Sequence, residues 1–398
     1  IIKKNLKAKR YIMIKKKICV VINNRANYAR IKSVLIAIKK NNKLELQIVL
    51  GSSAILNRYG AVSNIIKKDG FKINQIVYTL VEGENLLTMS KSTGLSIIEF
   101  STAFDLLKPD IVLVVADRYE TLAAGIAASY MNIVLAHTQG GEVTGSIDES
   151  VRHATTKLAH IHFPASLNAK KNIIKMGENP KKVYLVGCPS LDLIKKKQLD
   201  INKKFIKKYS KYGVGELKID FNKPYIVILQ HPVTTEYEHI KKNIEQTIKA
   251  ALKIKQQIVW LWPNVDAGSD IVSKSIRRAR EELKPKNIRW QKNYNPEDYL
   301  KLIYNSSCLV GNSSSAIREG AFLGIPAVNI GNRQHNREHG KNIIHVDYNS
   351  KNILKAINKQ IKKKKYSRNK IFGDGKAGER IAKILSNIKL DIIKSLNY

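Results

Sequence analysis

Residues 140–153, GGEVTGSIDESVRH, gather three acids, an arginine and a histidine in a chain where basic residues outnumber acidic ones by 70 to 32. Glu142 follows a glycine pair; Asp148 and Glu149 come six residues later, then Arg152 and His153. Carboxylates beside a guanidinium and an imidazole are the groups that general acid–base chemistry uses. Local structure explains part of the pattern. Ser146-Ile-Asp-Glu149 fits a capping box, with Ser146 as N-cap and Glu149 at the third helical position. Ile147, Val151, Ala154 and Leu158 then predict one apolar stripe. Asp148/Arg152 and Glu149/His153 are i,i+4 pairs on its flanks. Glu142 and the glycines lie outside that account; the glycines predict a tight turn at a strand end, close to a ligand.

Other polar residues recur at the ends of apolar runs: Asn23-Asn24-Arg25 after ICVVI, Asp117-Arg118 after IVLVVA, and His137-Thr138-Gln139 after IVLA. Further along, His231 follows YIVILQ, Asn264 and Asp266 follow IVWLW, and GNSSSAIRE (311–319) follows CLV. Any one of them suits a turn or a cap; together, in both halves, they predict a site. GNSSS predicts a helix start, where backbone N–H groups favour an anion such as phosphate, and Glu319 is placed to accept from a ribose. No GxxxxGK[ST] occurs, which disfavours triphosphate hydrolysis.

The elements that must position these residues are short β-branched runs alternating with amphipathic stretches. Ile18–Ile22, Leu46–Leu50, Ile111–Ala116, Ile133–Ala136 and Val183–Val186 read as strands of one half. Tyr225–Leu229, Ile258–Trp262, Ile288–Trp290, Cys308–Val310 and Ala327–Ile330 read as strands of the other. This rhythm predicts α/β architecture: two doubly wound Rossmann-like domains with a cleft between them and ligands beyond the strand ends. The lysine-rich stretch 195–222 separates the halves. The division expected is 13–200, 201–375, and a final helical piece 376–398 packing back on the first domain. Lys351 to Tyr398 reads as one or two helices about GDGKAGE, and no internal repeat stands out.

With 398 residues, two domains are expected, and 43 % hydrophobic residues suffice for two cores. The net charge of +38 follows from a Lys-, Ile- and Asn-rich composition, with short runs such as Lys15–Lys17, Lys195–Lys197 and Lys362–Lys365. No nucleic-acid-binding motif accompanies it, so no nucleic-acid partner is expected. Cys19, Cys188 and Cys308 form no CxxC pair, which fits a reducing cytosol without disulfide or zinc. The longest uncharged stretch, Leu122 to Ala136, is too short to span a membrane, and no signal peptide is visible. Met13 begins MIKKKICVVI, so residues 1–12 read as an upstream extension. A cytoplasmic protein with no tightly bound metal and no cofactor is expected.

The run ADRYETLAAGIAASYMNIVLAHTQGGEVTGSIDESVRHATTKLAHIHF, with GCPSLD, LQHPVTTEYEH, WPNVDAGSD and GNSSSAIREGAFLGIPAVNIGNRQ, closely resembles the hydrolysing UDP-N-acetylglucosamine 2-epimerases. The resemblance covers roughly residues 14–390 and implies a GT-B-like fold and a homo-oligomer, dimer or tetramer. It implies elimination of UDP across C1–C2 to 2-acetamidoglucal, then hydration to N-acetylmannosamine. Asp117 matches the acid/base aspartate, and Asp148 the acid of the IDxSxRH motif, with Arg152 and His153 beside it. His231 matches the QHPVT histidine, Ser313 and Ser314 the diphosphate-binding serines, Glu319 the ribose-binding glutamate, and Arg25 a phosphate-contacting arginine. Arg118 is assigned to UDP, Asn312 and Arg333 to supporting roles, and Glu149 to capping. Three positions depart from the family: Gln139 stands in place of the glutamate of H-x-E-G-G, Asn27 in place of the aspartate of R-A-D-Y, and GSSAILNRYG lacks a histidine found in some members. Gln139 cannot move a proton, so Asp117, Asp148, Glu142 or His231 must cover that step, or the sugar differs, for example a 2,4-diacetamido-trideoxyhexose. A non-hydrolysing epimerase and a UDP-sugar sensor are the further alternatives.

Overall fold

A computed structural model describes residues 14–194 and 198–397. The expected extension 1–12, the start at Met13 and the run Lys195–Lys197 lie outside the described residues. The first half carries β1 (Lys16–Ile22), β2 (Leu44–Leu50), β3 (Gln75–Ile76), β4 (Ile111–Val115), β5 (Val134–Thr138) and β6 (Ile161–Phe163). The second carries β7 (Tyr225–Leu229), β8 (Gln257–Leu261), β9 (Ile288–Gln291), β10 (Cys308–Gly311), β11 (Ala327–Ile330) and β12 (Ile343–Val346). Among them run helices α1 (Arg25–Lys40), α2 (Val62–Lys68), α3 (Leu86–Leu107), α4 (Tyr119–Tyr130), α5 (Asp148–Leu158), α6 (Leu167–Lys175) and α7 (Lys203–Tyr209). They continue with α8 (Ile240–Ala251), α9 (Ser269–Leu283), α10 (Pro296–Tyr304), α11 (Glu319–Leu323), α12 (Ser350–Ile361) and α13 (Ala377–Asn387).

Each half is a six-stranded parallel sheet, ordered β3-β2-β1-β4-β5-β6 and β12-β11-β10-β7-β8-β9. Counted from the first strand of each half the two orders are identical, so the architecture repeats although the sequence shows no repeat. The strands are continuous apolar runs because both faces of each sheet are covered. In β1, Ile18, Val20 and Ile22 enter the core on one face, and Cys19 and Val21 the core on the other. In β7, Tyr225, Val227 and Leu229 alternate with Ile226 and Ile228 in the same way.

Three edge strands escape the sequence pattern. β3 has two residues, β6 is the tripeptide IHF, and β12 follows β11 closely. Val183–Val186 is not a strand: only Val183 bridges to His162, and β6 takes the edge position. α7 sets Phe205 and Tyr209 against Tyr294 and Phe221 in the second half's core, with ring centroids of Tyr209 and Tyr294 4.2 Å apart. Ile381, Ala382 and Leu385 of α13 share the core of β1 and α1. No helix among the described residues is long and apolar enough to cross a membrane.

α5 departs most from expectation. The predicted apolar stripe is not its buried face: Ile147 is 42 % exposed, while Arg152, Thr155 and Thr156 point inward. The capping box does not form. Ile147 occupies the N-cap position, the Ser146 hydroxyl has no hydrogen-bond partner among the described residues, and Glu149 instead accepts from the Thr144 backbone N–H at 2.7 Å. The glycine pair serves packing rather than ligand approach. Gly141 has φ +75°, and a Cβ there would stand 2.2 Å from the Ala169 carbonyl oxygen of α6.

One close approach of the halves is where Gly145 meets the loop after β11; another is the Gly268 N–H donating to the Glu84 carbonyl at 2.7 Å. A Cβ on Gly145 would lie 2.1 Å from the Asn332 carbonyl oxygen, and its N–H donates to the Arg333 carbonyl at 3.3 Å. Gly145→Ala is therefore expected to cost about 1–3 kcal/mol in urea unfolding, the usual range for overpacking a fixed contact.

Candidate active site

Strand ends from both sheets converge on one cleft. After β1, Asn24 caps α1, accepting from the Asn27 N–H at 2.9 Å, while Asn27 Oδ1 accepts from the Asn23 N–H at 3.2 Å. Asn27, where the family has an acid, thus holds a turn. Arg25 crosses the cleft: its Nε donates to Asn264 Oδ1 at 2.8 Å, and its Nη1 and Nη2 donate to the Lys292 and Trp262 carbonyls at 2.6 Å. Arg30, further along α1, donates from Nη2 to Ser314 Oγ at 2.5 Å.

On the opposite wall, Asn312 pins the loop after β7, accepting from the His231 N–H at 2.7 Å and donating to its carbonyl at 2.9 Å. The Asn264 N–H donates to His231 Nδ1 at 3.2 Å. Nδ1 is therefore an acceptor, and Nε2 carries the proton of a neutral ring. Burial, reinforced by the charges of Arg333, Arg25, Arg118 and Arg30, keeps the imidazole well below its usual pKa. Ser313 Oγ lies 2.9 Å from Ser315 Oγ, which bonds to the Tyr299 hydroxyl at 2.6 Å. The serines lie in an irregular turn: α11 starts only at Glu319 and has five residues, so the expected helix start at GNSSS is absent. Their hydroxyls nevertheless face a cavity of about 820 Å³ shared with Arg25, Arg30, His231 and Glu319 and floored by Leu229 and Tyr294.

Beside this cavity Arg152 is 0 % exposed; its two terminal nitrogens meet acceptors, while Nε has no hydrogen-bond partner among the described residues. Nη2 pairs with Asp117, and Nη1 reaches Glu149 Oε2 at 2.9 Å and the Glu142 carbonyl at 2.7 Å. Burial alone would raise the Asp117 pKa; Arg152, Arg30 and Arg337 overcome it and hold the group far below the carboxylate range. Asp148 behaves oppositely. Burial, with the charge of Asp117 next, pushes it up to about 6 against the pull of Arg333, whose Nη2 is 3.5 Å from Asp148 Oδ2. Asp148 lines a recess of about 480 Å³ with Arg118, Tyr119, Thr234 and Asp266. Two acids whose pKa values are driven apart are a proton-handling arrangement.

The remaining expected residues are engaged elsewhere. Arg118 bonds to Glu120, at 3.0 Å from Nε, to Asp266 through Nη1 and to the Val265 carbonyl through Nη2, and so bridges the halves while lining the recess of Asp148. His153 Nε2 bonds to Glu149 Oε1 at 2.9 Å, on the flank of α5. Arg333 also donates from Nη1 to the Asn312 carbonyl at 3.2 Å. Glu142 is a structural tie between the halves. Arg318 Nη2 contacts both its oxygens, at 2.7 and 2.8 Å, and Arg337 donates from Nε at 2.9 Å and from Nη2. Burial would raise its pKa, yet Arg318, Arg337 and Arg152 hold it at about 2. Gln139 is fully buried at φ +62°; its backbone N–H donates to the Phe163 carbonyl at 3.0 Å, and neither side-chain amide atom has a hydrogen-bond partner among the described residues. Sequence reasoning passed over Arg30, Arg318 and Arg337. Their signal was chemical type, since arginine rather than lysine suits a buried, forked contact. Among the described residues no cluster of three or more His, Cys, Asp or Glu could hold a metal ion.

Two doubly wound lobes with polar strand ends facing one cleft define a GT-B-like protein. The chain belongs to the UDP-N-acetylglucosamine 2-epimerase family, whose model matches residues 36–386. It is 34 % identical over 375 residues to the UDP-N,N'-diacetylbacillosamine 2-epimerase (hydrolyzing) of Legionella pneumophila, covering 94 % of this chain and 97 % of that one. It is 30 % identical to the GDP/UDP-N,N'-diacetylbacillosamine 2-epimerase (hydrolyzing) of Campylobacter jejuni, covering 97 % and 99 %. The fold matches the crystal structure of UDP-GlcNAc 2-epimerase from Neisseria meningitidis bound to UDP-GlcNAc, with TM-score 0.76 and 19 % identity over 93 % of this chain and 99 % of that one.

Glu142→Ala would leave two buried guanidiniums without their carboxylate. The expected loss is about 3–5 kcal/mol of stability in chemical unfolding, and a loss under 1 kcal/mol would show that the tie is dispensable.

Proposed function

We propose that this chain is a hydrolysing 2-epimerase of a UDP-linked 2-acetamido sugar, consuming water and releasing UDP and the free sugar inverted at C2. The observation that carries the proposal is the pair Asp117 and Asp148, one held ionised and the other raised to about 6, beside the cavity of Arg30 and Ser313–Ser315. Ser313, Ser314 and Arg30 suit the diphosphate, and Glu319 suits the ribose. His231, neutral and protonated on Nε2, suits donation of a hydrogen bond to the departing oxygen.

Proton transfer is most efficient from a group whose pKa lies near the working pH. That favours Asp148 over Asp117 as the base that takes the C2 proton. The C2–H electrons form the C1–C2 double bond, and the C1–O pair leaves on the β-phosphate. Water then adds at C1 and a proton returns to C2 from the opposite face. Asp117, fixed by Arg152, keeps a negative charge beside Asp148 and so maintains its basicity. Gln139, uncharged, takes no proton.

Two sugars fit this chemistry. The relatives of 34 % and 30 % identity carry N,N'-diacetylbacillosamine in their names, which supports a 4-acetamido substrate. The family description supports UDP-N-acetylglucosamine, the second reading. A competition assay with the two UDP-sugars decides by the ratio of kcat/KM. The proposal includes a cytosolic setting, supported by three free, buried cysteines, and a homo-oligomeric enzyme that needs no cofactor.

With either sugar in D2O, NMR is expected to show deuterium at the inverted C2 and one UDP per sugar released. UDP-sugar returned with inverted C2 and no free UDP would make the enzyme non-hydrolysing. Asp148→Asn should lower kcat about 10²–10⁴-fold, the span of general acid–base effects. In the wild type kcat/KM should rise with pH through a midpoint near 6, where Asp148 loses its proton. Asp117→Asn removes the like charge that raises this pKa, so the midpoint should move down by about one unit. An unmoved midpoint would separate the two aspartates.

A further inference from the structure

Beyond α13 the chain runs back along the first half and is fastened at three points. His160 Nε2 bonds to the Ile392 carbonyl at 3.2 Å. The Asn397 N–H donates to the Gly177 carbonyl at 3.0 Å, and Leu396 lies so close to Gly177 that an added Cβ would sit 3.2 Å from its Cδ2. Between them, Lys394 Nζ contacts Glu178 Oε2 at 2.8 Å and the carbonyls of Thr156, at 3.3 Å, of Lys157, and of Ala159, at 2.6 Å.

Those carbonyls close the C-terminal end of α5. The last carbonyls of a helix lack partners within it, and a cation placed there is favoured by the helix dipole. Glu178 is buried and also receives Lys157 at 2.6 Å and His162 at 3.0 Å, so Lys394 is anchored on both sides. At its other end the same helix carries Asp148, Glu149 and Arg152. Eleven residues of α-helix form a stiff rod about 16 Å long. The inward face of this rod is Arg152, Thr155 and Thr156 rather than an apolar stripe. Leu158 packs its C-terminal end against the core beside α4 and β5, and discrete polar anchors set the rest of its placement: Arg152 with Asp117, Asp148 with Arg333, Thr156 Oγ1 with His137 Nδ1 at 3.2 Å, and Lys394 at the far end.

We propose that Lys394 is a positioning residue, and that residues 389–397 form a strap whose hold on the end of α5 fixes the placement of Asp148 relative to the Asp117–Arg152 pair. Its consequence for turnover rests on the assignment of Asp148 given above; the mechanical coupling does not.

The test compares Lys394→Met and Lys394→Arg in the full chain. Hydrogen exchange followed by mass spectrometry should show faster exchange in peptides covering 148–152 of Lys394→Met, remote from the substitution. With the better UDP-sugar, kcat should fall about tenfold, the scale expected of a small misplacement of a reacting group, while UDP affinity holds. The acid-limb midpoint should relax from near 6 toward the ordinary aspartate value as Asp148 and Asp117 separate. Lys394→Arg, which keeps the cation, should restore all three readouts. Should Lys394→Met not fold, Leu396→Ala, which loosens the strap and keeps the ammonium, is read in its place. A lower melting temperature with unchanged exchange at 148–152 and an unchanged midpoint would overturn the proposal. If the wild type turns over neither sugar, the functional reading fails, and the exchange measurement still decides the coupling.

Discussion

A guanidinium without exposed surface needs carboxylates and carbonyls within reach, and Arg152, both of whose terminal nitrogens find them, sets that demand at the centre of this fold. A buried charge left unpaired costs several kcal/mol. Its partners come from three places: Asp117 at the end of β4, the Glu142 carbonyl beyond β5, and Glu149 within α5. Meeting the demand fixes the first turn of α5 against two strand ends. The carboxylate of Glu142 faces the other way and binds Arg318 and Arg337. One charge network thus runs from the proposed proton-handling pair to the opposite lobe, and the cleft is held by the same charges that tune its acids.

The network also explains how scarce acids are used. In a chain of net charge +38, Glu142, Asp148 and Asp266 pair with arginines of the opposite half, and Asp117, Glu120 and Glu149 pair with Arg152 or Arg118 of their own. A cleft walled only by arginines would repel itself and hold any anion too firmly to release it. Interleaved carboxylates offset that charge and leave Arg30, which donates to Ser314, as a cation facing the cavity.

What could be read in the sequence follows from how local the cause was. Central strands were legible because burial on both faces makes apolar runs. β7 and β11 fall where the runs predict them, whereas the edge pieces β3 and β6 are too short to show a pattern and β12, as long as β11, is only partly buried and interrupted by His345. Polar residues at strand ends were legible as a group, and Asp117, Asp148, His231, Ser313 and Ser314 do come to the cleft. Their division of labour was not, because it depends on partners far away in the chain. Arg25 and Arg118, expected at the nucleotide, also tie the lobes: Arg25 to Asn264 and the Lys292 and Trp262 carbonyls, Arg118 to Asp266 and the Val265 carbonyl as well as to Glu120 of its own lobe. The face of α5 was misread because its interior is polar, so periodicity pointed outward. Gln139 adds a second case: its type excludes proton transfer, but only the fold shows that the amide is buried without a partner among the described residues.

The Glu142 contact bears on how such a protein can be recombined. The carboxylate belongs to one lobe and both its guanidiniums to the other, so neither lobe is electrostatically complete alone. A chimera joining this N-terminal half to a foreign C-terminal half inherits a buried anion that needs two arginines at matching depth. The lobes share one strand order, yet at this contact they are not interchangeable modules, because the carboxylate of one is matched by the guanidiniums of the other.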